Sequence, residues 1–143
     1  MGWKDIVAEN NIAVIWVPKE YTKSGSFIAK CPEFPNGAII LCVLLEDEEI
    51  EFVALHEIGH LVSGKALAKV NNLLRHLEHS KNEANANRFL FRNIAPRFVD
   101  ENERNLQWTT PDRLCEFLGV RSTFENIQIA QEEIDLALWG EYD

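Results

Sequence analysis

The first 45 residues alternate short apolar runs with turn-forming residues, a pattern typical of a small β-sheet. Trp3, Ile6 and Val7 lie at helical spacing and predict a short helix over residues 3–10. Two prolines and an Asn-Gly pair predict a turn over residues 32–37. Three apolar runs with β-branched or aromatic residues predict strands. These strands are residues 12–17, 26–30 and 37–45.

After residue 46 the apolar positions follow the helical period instead. Acidic residues at 47–49 complement the dipole at the start of a helix, and we expect Gly64 to end that helix. Pro96 is expected to end the next one, because an interior proline removes a backbone hydrogen bond. Residues 65–77 are interpreted as a connector with some helix. The predicted helices are residues 47–63, 78–94, 111–118 (with Thr110 and Gly119 as its caps) and 122–139.

The order of these elements predicts an α+β fold: a small three-stranded antiparallel sheet packed on helices, with a helical C-terminal segment. A chain of 143 residues suits one compact domain with room for a small appendage. We interpret residues 1–99 as the core and residues 100–143 as the helical C-terminal segment.

The composition narrows the classes of function. Hydrophobic residues make up 46% of the chain, enough for a buried core, and the net charge is −9. An acidic balance of this size disfavours an extended phosphate-binding surface, so direct nucleic-acid binding is not expected. The 3 cysteines form no CxxC pair, which favours a reducing compartment over a disulfide framework. Because no apolar run approaches the roughly 20 residues that span a bilayer, we predict a cytoplasmic protein with no membrane partner.

Residues 56–60 read His-Glu-Ile-Gly-His, the HExxH pattern. On a helix, His56 and His60 lie one turn apart on the same face, and two imidazoles so placed can bind one metal ion. Glu57 lies about 100° further round the helix, so it points beside the ion. That is the expected place for a general base acting on a water that zinc has made acidic. The pattern therefore predicts a Zn²⁺ site with Glu57 as catalytic base.

The alternative interpretation is a solvated polar helix face without a metal. Apolar residues occupy most of the circumference of this helix, so it is predicted to be buried, and buried polar groups need partners. A metal ion bound by both imidazoles would be that partner. Gly59, unfavourable inside a helix, indicates a close approach at this point. The apolar residues are Phe52, Val53, Leu55, Ile58, Leu61 and Val62.

A catalytic zinc site needs a third protein ligand. The residues after His60 carry no histidine at the metzincin spacing, so we expect a carboxylate from the second helix. Glu83 is the preferred candidate, because its neighbours Ala84 and Ala86 are small and allow that helix to pack closely. The alternatives for the third ligand are Glu78, His79 and Asn87, and His79 could instead hold Glu83 in place.

Together these motifs resemble the ImmA/IrrE family of zinc-dependent metallopeptidases, which are found with phages, mobile elements and stress-response operons. Residues 56–60 and the stretch Glu83-x-x-Ala86-Asn87-Arg88-Phe89 are similar to the family's HExxH…ExxANxF pattern. The resemblance covers roughly residues 12–95, and the second motif is the more distinguishing one. After Phe89 the chain departs from the family, keeping only the general hydrophobicity and a proline.

This resemblance implies a zincin-like core with zinc held by His56, His60 and Glu83, and with Glu57 as base. It implies a gluzincin-like zinc endopeptidase that cleaves a helix-turn-helix transcriptional repressor and so derepresses a phage or mobile-element operon. The alternative function is a non-proteolytic antirepressor that sequesters the repressor and uses zinc structurally. An acidic surface suits a basic DNA-binding partner in either case.

Three expectations concern the rest of a peptidase site. A substrate peptide is expected to pair with an edge strand, at residues 26–30 or 37–43. Residues 111–120 resemble the start of a helix-turn-helix, but few basic residues lie near them, so we expect a docking or structural role. Candidate donors to the oxyanion are Tyr21, Asn87 and Arg88.

Overall fold

The structure is a computed structural model that describes residues 2–18, 25–43, 45–63 and 72–140, and of residues 63 and 72–80 it describes the backbone alone. The described residues form five helices and three strands, which confirms the predicted α+β class. In chain order they are α1 (Trp3–Glu9), β1 (Ala13–Val17), β2 (Gly25–Ile28), β3 (Ala38–Cys42), α2 (Asp47–Ser63), α3 (Asn72–Glu101), α4 (Pro111–Leu118) and α5 (Phe124–Trp139).

The sheet is mixed, so the prediction of a purely antiparallel sheet was wrong. Its strand order is β1-β3-β2, with β2 antiparallel and β1 parallel to β3. The predicted turn before β3 contains Gly37 at φ +82°, and it returns the chain so that β2 and β3 pair as neighbours. Since β2 takes one edge of β3, β1 pairs along the other edge. Apolar patterning locates strands but does not specify which edges meet.

The core of the first part of the chain is built on β3. Ala38, Ile39 and Leu41 have no exposed surface, as expected for a strand covered on both faces. α2 packs against β2 and β3 and also contacts α1. The ring of Trp3 on α1 meets that of Trp16 on the edge strand β1 edge to face, with centroids 6.3 Å apart. The HExxH helix is therefore held against the centre of the sheet.

α3 is longer than the predicted helix over residues 78–94, and Pro96 lies inside it instead of ending it. Pro96 is exposed, whereas Phe98 and Val99 beyond it are buried. Burying those two side chains stabilises the fold by about 1.5–3 kcal/mol each, which offsets the roughly 3 kcal/mol cost of an interior proline. The expected stop at Gly64 and most of the expected connector lie outside the described residues.

By its contacts the chain divides into two compact units, Met1–Ala86 and Asn87–Asp143, and the division falls within α3. The predicted boundary between residues 99 and 100 stays a prediction. In the second unit α4 packs against α5. Thr110 caps α4 at its start, and Gly119 ends it at φ +72°, both as predicted. No described helix is both long and apolar enough to cross a bilayer.

Inside the second unit, α3 and α5 are joined by a polar seam formed by Asn87, Arg88, Arg92, Asn126 and Glu133. Glu133 is only 2% exposed, and its carboxylate accepts hydrogen bonds from Arg92 Nε at 2.9 Å and Nη2 at 3.1 Å. Arg88 Nη1 lies 3.5 Å from the same carboxylate. Asn87 Nδ2 donates to Asn126 Oδ1 at 3.2 Å. A buried carboxylate is tolerated here because guanidinium groups satisfy it.

Replacing Arg92 by alanine is expected to lower the free energy of unfolding by about 2–4 kcal/mol, because Glu133 stays buried without its two closest donors. Glu133→Gln should cost less, since it removes the charge that needs compensation. Urea denaturation measures both. Arg113→Ala, on an exposed position of α4, is the control and should stay within about 0.5 kcal/mol of wild type. A loss for Arg92→Ala no larger than this control contradicts the assignment.

Candidate metal centre

The C-terminal half of α2 carries all three polar residues of the HExxH motif. Away from the two histidines the helix is anchored by Leu55 and Ile58, which are buried as predicted, and by the buried Ala54. Phe52, one turn before His56, is also buried as predicted. This anchoring determines which way the motif side chains face, because residues one turn apart share a helix face. Val62, predicted as part of the apolar surface, is instead exposed.

His56, His60 and Glu83 come together. His60 Nε2 lies 2.9 Å from Glu83 Oε1, and His56 Nε2 lies 3.3 Å from Glu83 Oε2. The two imidazole rings are nearly perpendicular, with centroids 4.9 Å apart. One potential ligand atom from each residue lies within 4.8 Å of the other two, so among the described residues this group could hold a metal ion. Two imidazole nitrogens and a carboxylate oxygen are a donor set that suits a divalent transition metal.

The surroundings of Glu83 favour its charged form. Hydrogen bonds from His56 and His60 hold the pKa of the Glu83 carboxyl well below its usual range, and they outweigh the opposing effect of burial. The side chains of Glu83 and His56 are 41% and 24% exposed, whereas that of His60 is 6% exposed. The group is thus closed on the His60 side and open to solvent on the other.

Glu57 differs from Glu83 in its environment. It is 8% exposed, and burial raises the pKa of its carboxyl, an effect that the nearby imidazoles of His56 and His60 partly oppose. A carboxylate that is desolvated binds a proton more readily than one in water. Its position beside the ligand group and its raised pKa match the properties of a general base.

Gly25 and Phe27 of β2 also border this site, although neither was predicted as a site residue. A Cβ on Gly25 would lie 2.4 Å from Val53 Cγ1 and 3.5 Å from Glu57 Cγ, so only glycine fits against α2 there. The ring of Phe27 stacks on the imidazole of His60, with centroids 4.6 Å apart and planes at 13°. A glycine in a strand indicates that another segment approaches its backbone closely. Nothing in the sequence identifies that segment as α2.

The predicted oxyanion donors and the alternative third ligands are not seen in the group formed by His56, His60 and Glu83. Asn87 and Arg88, considered as oxyanion donors, belong to the polar seam with α5. Tyr21 lies outside the described residues. Glu78 and His79, the alternative third ligands, belong to the segment of α3 whose side chains are also outside them. Of the third-ligand candidates with a described side chain, Glu83 lies with the two histidines and Asn87 bonds to Asn126.

Comparison of the chain with protein-family models, with curated proteins and with solved structures found no match. The resemblance to the ImmA/IrrE family therefore stays a prediction.

Glu83→Ala is expected to weaken metal binding by more than about 100-fold, because loss of a ligand exceeds the 10- to 100-fold effect of losing an outer partner. Elemental analysis of the purified protein and titration with Co²⁺ or Zn²⁺ measure this. Glu125→Ala, which removes an exposed acid of α5, is the matched control and should bind metal as wild type does. Retention of one metal equivalent at wild-type affinity by Glu83→Ala would exclude Glu83 as a ligand.

Proposed function

We propose that this protein is a zinc-dependent endopeptidase that hydrolyses a peptide bond in a helix-turn-helix transcriptional repressor and so derepresses a phage or mobile-element operon in the cytoplasm. The observation that carries the hydrolase proposal is the convergence of His56, His60 and Glu83 beside the buried carboxyl of Glu57. The identity of the substrate rests on the resemblance of the two motifs to the ImmA/IrrE family.

His56, His60 and Glu83 would hold the zinc ion, which supplies Lewis-acid chemistry by polarising the scissile carbonyl and acidifying the attacking water. Glu83 contributes a negative charge that partly balances the ion. The two histidines contribute neutral nitrogen donors from one face of α2. This combination favours zinc among the common divalent ions.

Glu57 performs the proton transfers. Its carboxylate accepts a proton from the attacking water and then delivers that proton to the amine that leaves when the C–N bond breaks. Burial assists the first of these steps, because desolvation strengthens the affinity of the carboxylate for the proton.

The exposure of the site supports catalysis over a structural metal. Structural zinc sites are normally closed by four protein ligands, whereas catalytic sites keep a position open. Here Glu83 and His56 both retain solvent-exposed surface. This openness favours an enzyme over an antirepressor that uses zinc structurally.

The substrate peptide would lie along β2. The alternative predicted docking strand, β3, is hydrogen-bonded on both sides, so it has no free edge for a peptide. In the described sheet β2 is an edge strand, and it packs on α2. An extended peptide added to that edge would run next to the HExxH helix. The acidic net charge of −9 further suits a basic repressor.

Glu57→Gln should lower kcat/KM for repressor cleavage by about 10²–10⁴-fold, the usual contribution of a general base, while metal content is unchanged. Purified protein is mixed with a helix-turn-helix repressor encoded beside it, and fragments are followed on a gel. Glu49→Gln, an exposed acid on the same helix, is the control and should cleave normally. Cleavage by Glu57→Gln at the wild-type rate would refute its role as base.

The same mixture distinguishes the rival function. Fragments that depend on metal support a peptidase. An intact repressor that comigrates with the wild-type, metal-loaded protein supports sequestration and contradicts the peptidase proposal.

A further inference from the structure

The side of β2 that faces α2 carries Gly25 and Phe27, since alternate residues of a strand point the same way. Gly25 lies against Val53 without room for a Cβ. Phe27, two residues on, places its ring parallel to the imidazole of His60 at a centroid distance of 4.6 Å. The glycine lets the strand come close, and this approach brings the phenyl ring within stacking distance of a metal-ligand candidate.

We propose that Phe27 is a positioning residue, whose ring holds the imidazole of His60 in the orientation that points Nε2 at the metal. This inference rests on the metal centre of the proposed function, but not on its peptidase activity. The ring of a histidine rotates within a broad torsional range. Some contact must therefore select one orientation, and a stacked ring restricts rotation because the two planes have to stay nearly parallel.

The polar contacts of His60 do not by themselves fix the orientation of its ring. Among the described side chains, Glu83 is its only hydrogen-bonding or ionic partner, and it contacts Nε2, the atom expected to bind the ion. Histidine ligands are commonly oriented through the nitrogen that does not bind the metal. Phe27 instead contacts the face of the ring, so its contact does not compete with metal binding at Nε2.

The support for Phe27 is rigid. Its pairing partner across the sheet is Ile39, which has no exposed surface in the centre of β3. Gly25 is paired with Leu41, which is equally buried. A positioning residue on a strand anchored to the core holds its geometry more closely than one on a loop. Phe27 keeps 38% of its surface exposed, so its ring is available for substitution without opening the core.

The test compares Phe27→Leu with Phe27→Tyr, using Co²⁺ as the probe ion. Phe27→Leu removes the stacking ring and should weaken Co²⁺ binding by about 10-fold or more, with a changed visible absorption spectrum because the ligand geometry shifts. Phe27→Tyr keeps a ring and should restore both affinity and spectrum. Phe124→Leu, which alters an exposed phenylalanine of α5, is the control and should match wild type. Circular dichroism establishes that each variant is folded.

Wild-type affinity and spectrum in Phe27→Leu overturn the proposal, as does a loss in Phe27→Tyr equal to that in Phe27→Leu. A second measurement does not depend on any variant. Proton NMR of the wild-type protein should show cross-relaxation between the rings of Phe27 and His60, and its absence also overturns the proposal. A wild-type protein that binds Co²⁺ normally but cleaves no repressor refutes the peptidase function and leaves this inference intact.

Discussion

The packing of α2 against the sheet is the constraint on which the candidate site depends. The helix buries Phe52, Leu55 and Ile58, and this burial leaves only one orientation for the rest of its surface. Both imidazoles of the HExxH motif then face the same side, where Glu83 meets them. The hydrophobic effect supplies the energy that holds these polar groups in place, since none of them would hold this arrangement in an isolated helix.

The two carboxyl groups of the site show how environment assigns different chemistry to the same residue type. Glu83 faces the donors of two imidazoles, so its charged form is stabilised and its pKa falls. Glu57 is desolvated against β2, so its charged form is destabilised and its pKa rises. One carboxylate suits metal binding and the other suits proton transfer.

The second motif also serves two purposes. Glu83 lies in the candidate metal centre, whereas Asn87 and Arg88, which follow it closely in the chain, bond to α5. The pattern ExxANRF therefore combines one group suited to metal binding with two groups that hold the second unit together. These contacts favour a structural role for Asn87 and Arg88 over a catalytic one, since Asn87 bonds to Asn126 and Arg88 pairs with Glu133.

Sequence patterns alone determined the type and position of most elements, because periodicity and capping residues such as Thr110 and Gly119 act locally. They also selected the four site residues, since the HExxH spacing is a property of a single helix and Glu83 lies within a recognisable motif. Only the tertiary structure decided the parallel pairing of β1, the continuation of α3 through Pro96, and the approach of Gly25 and Phe27 to the site. These features depend on contacts between residues distant in the chain, where the burial of one segment against another outweighs local preference.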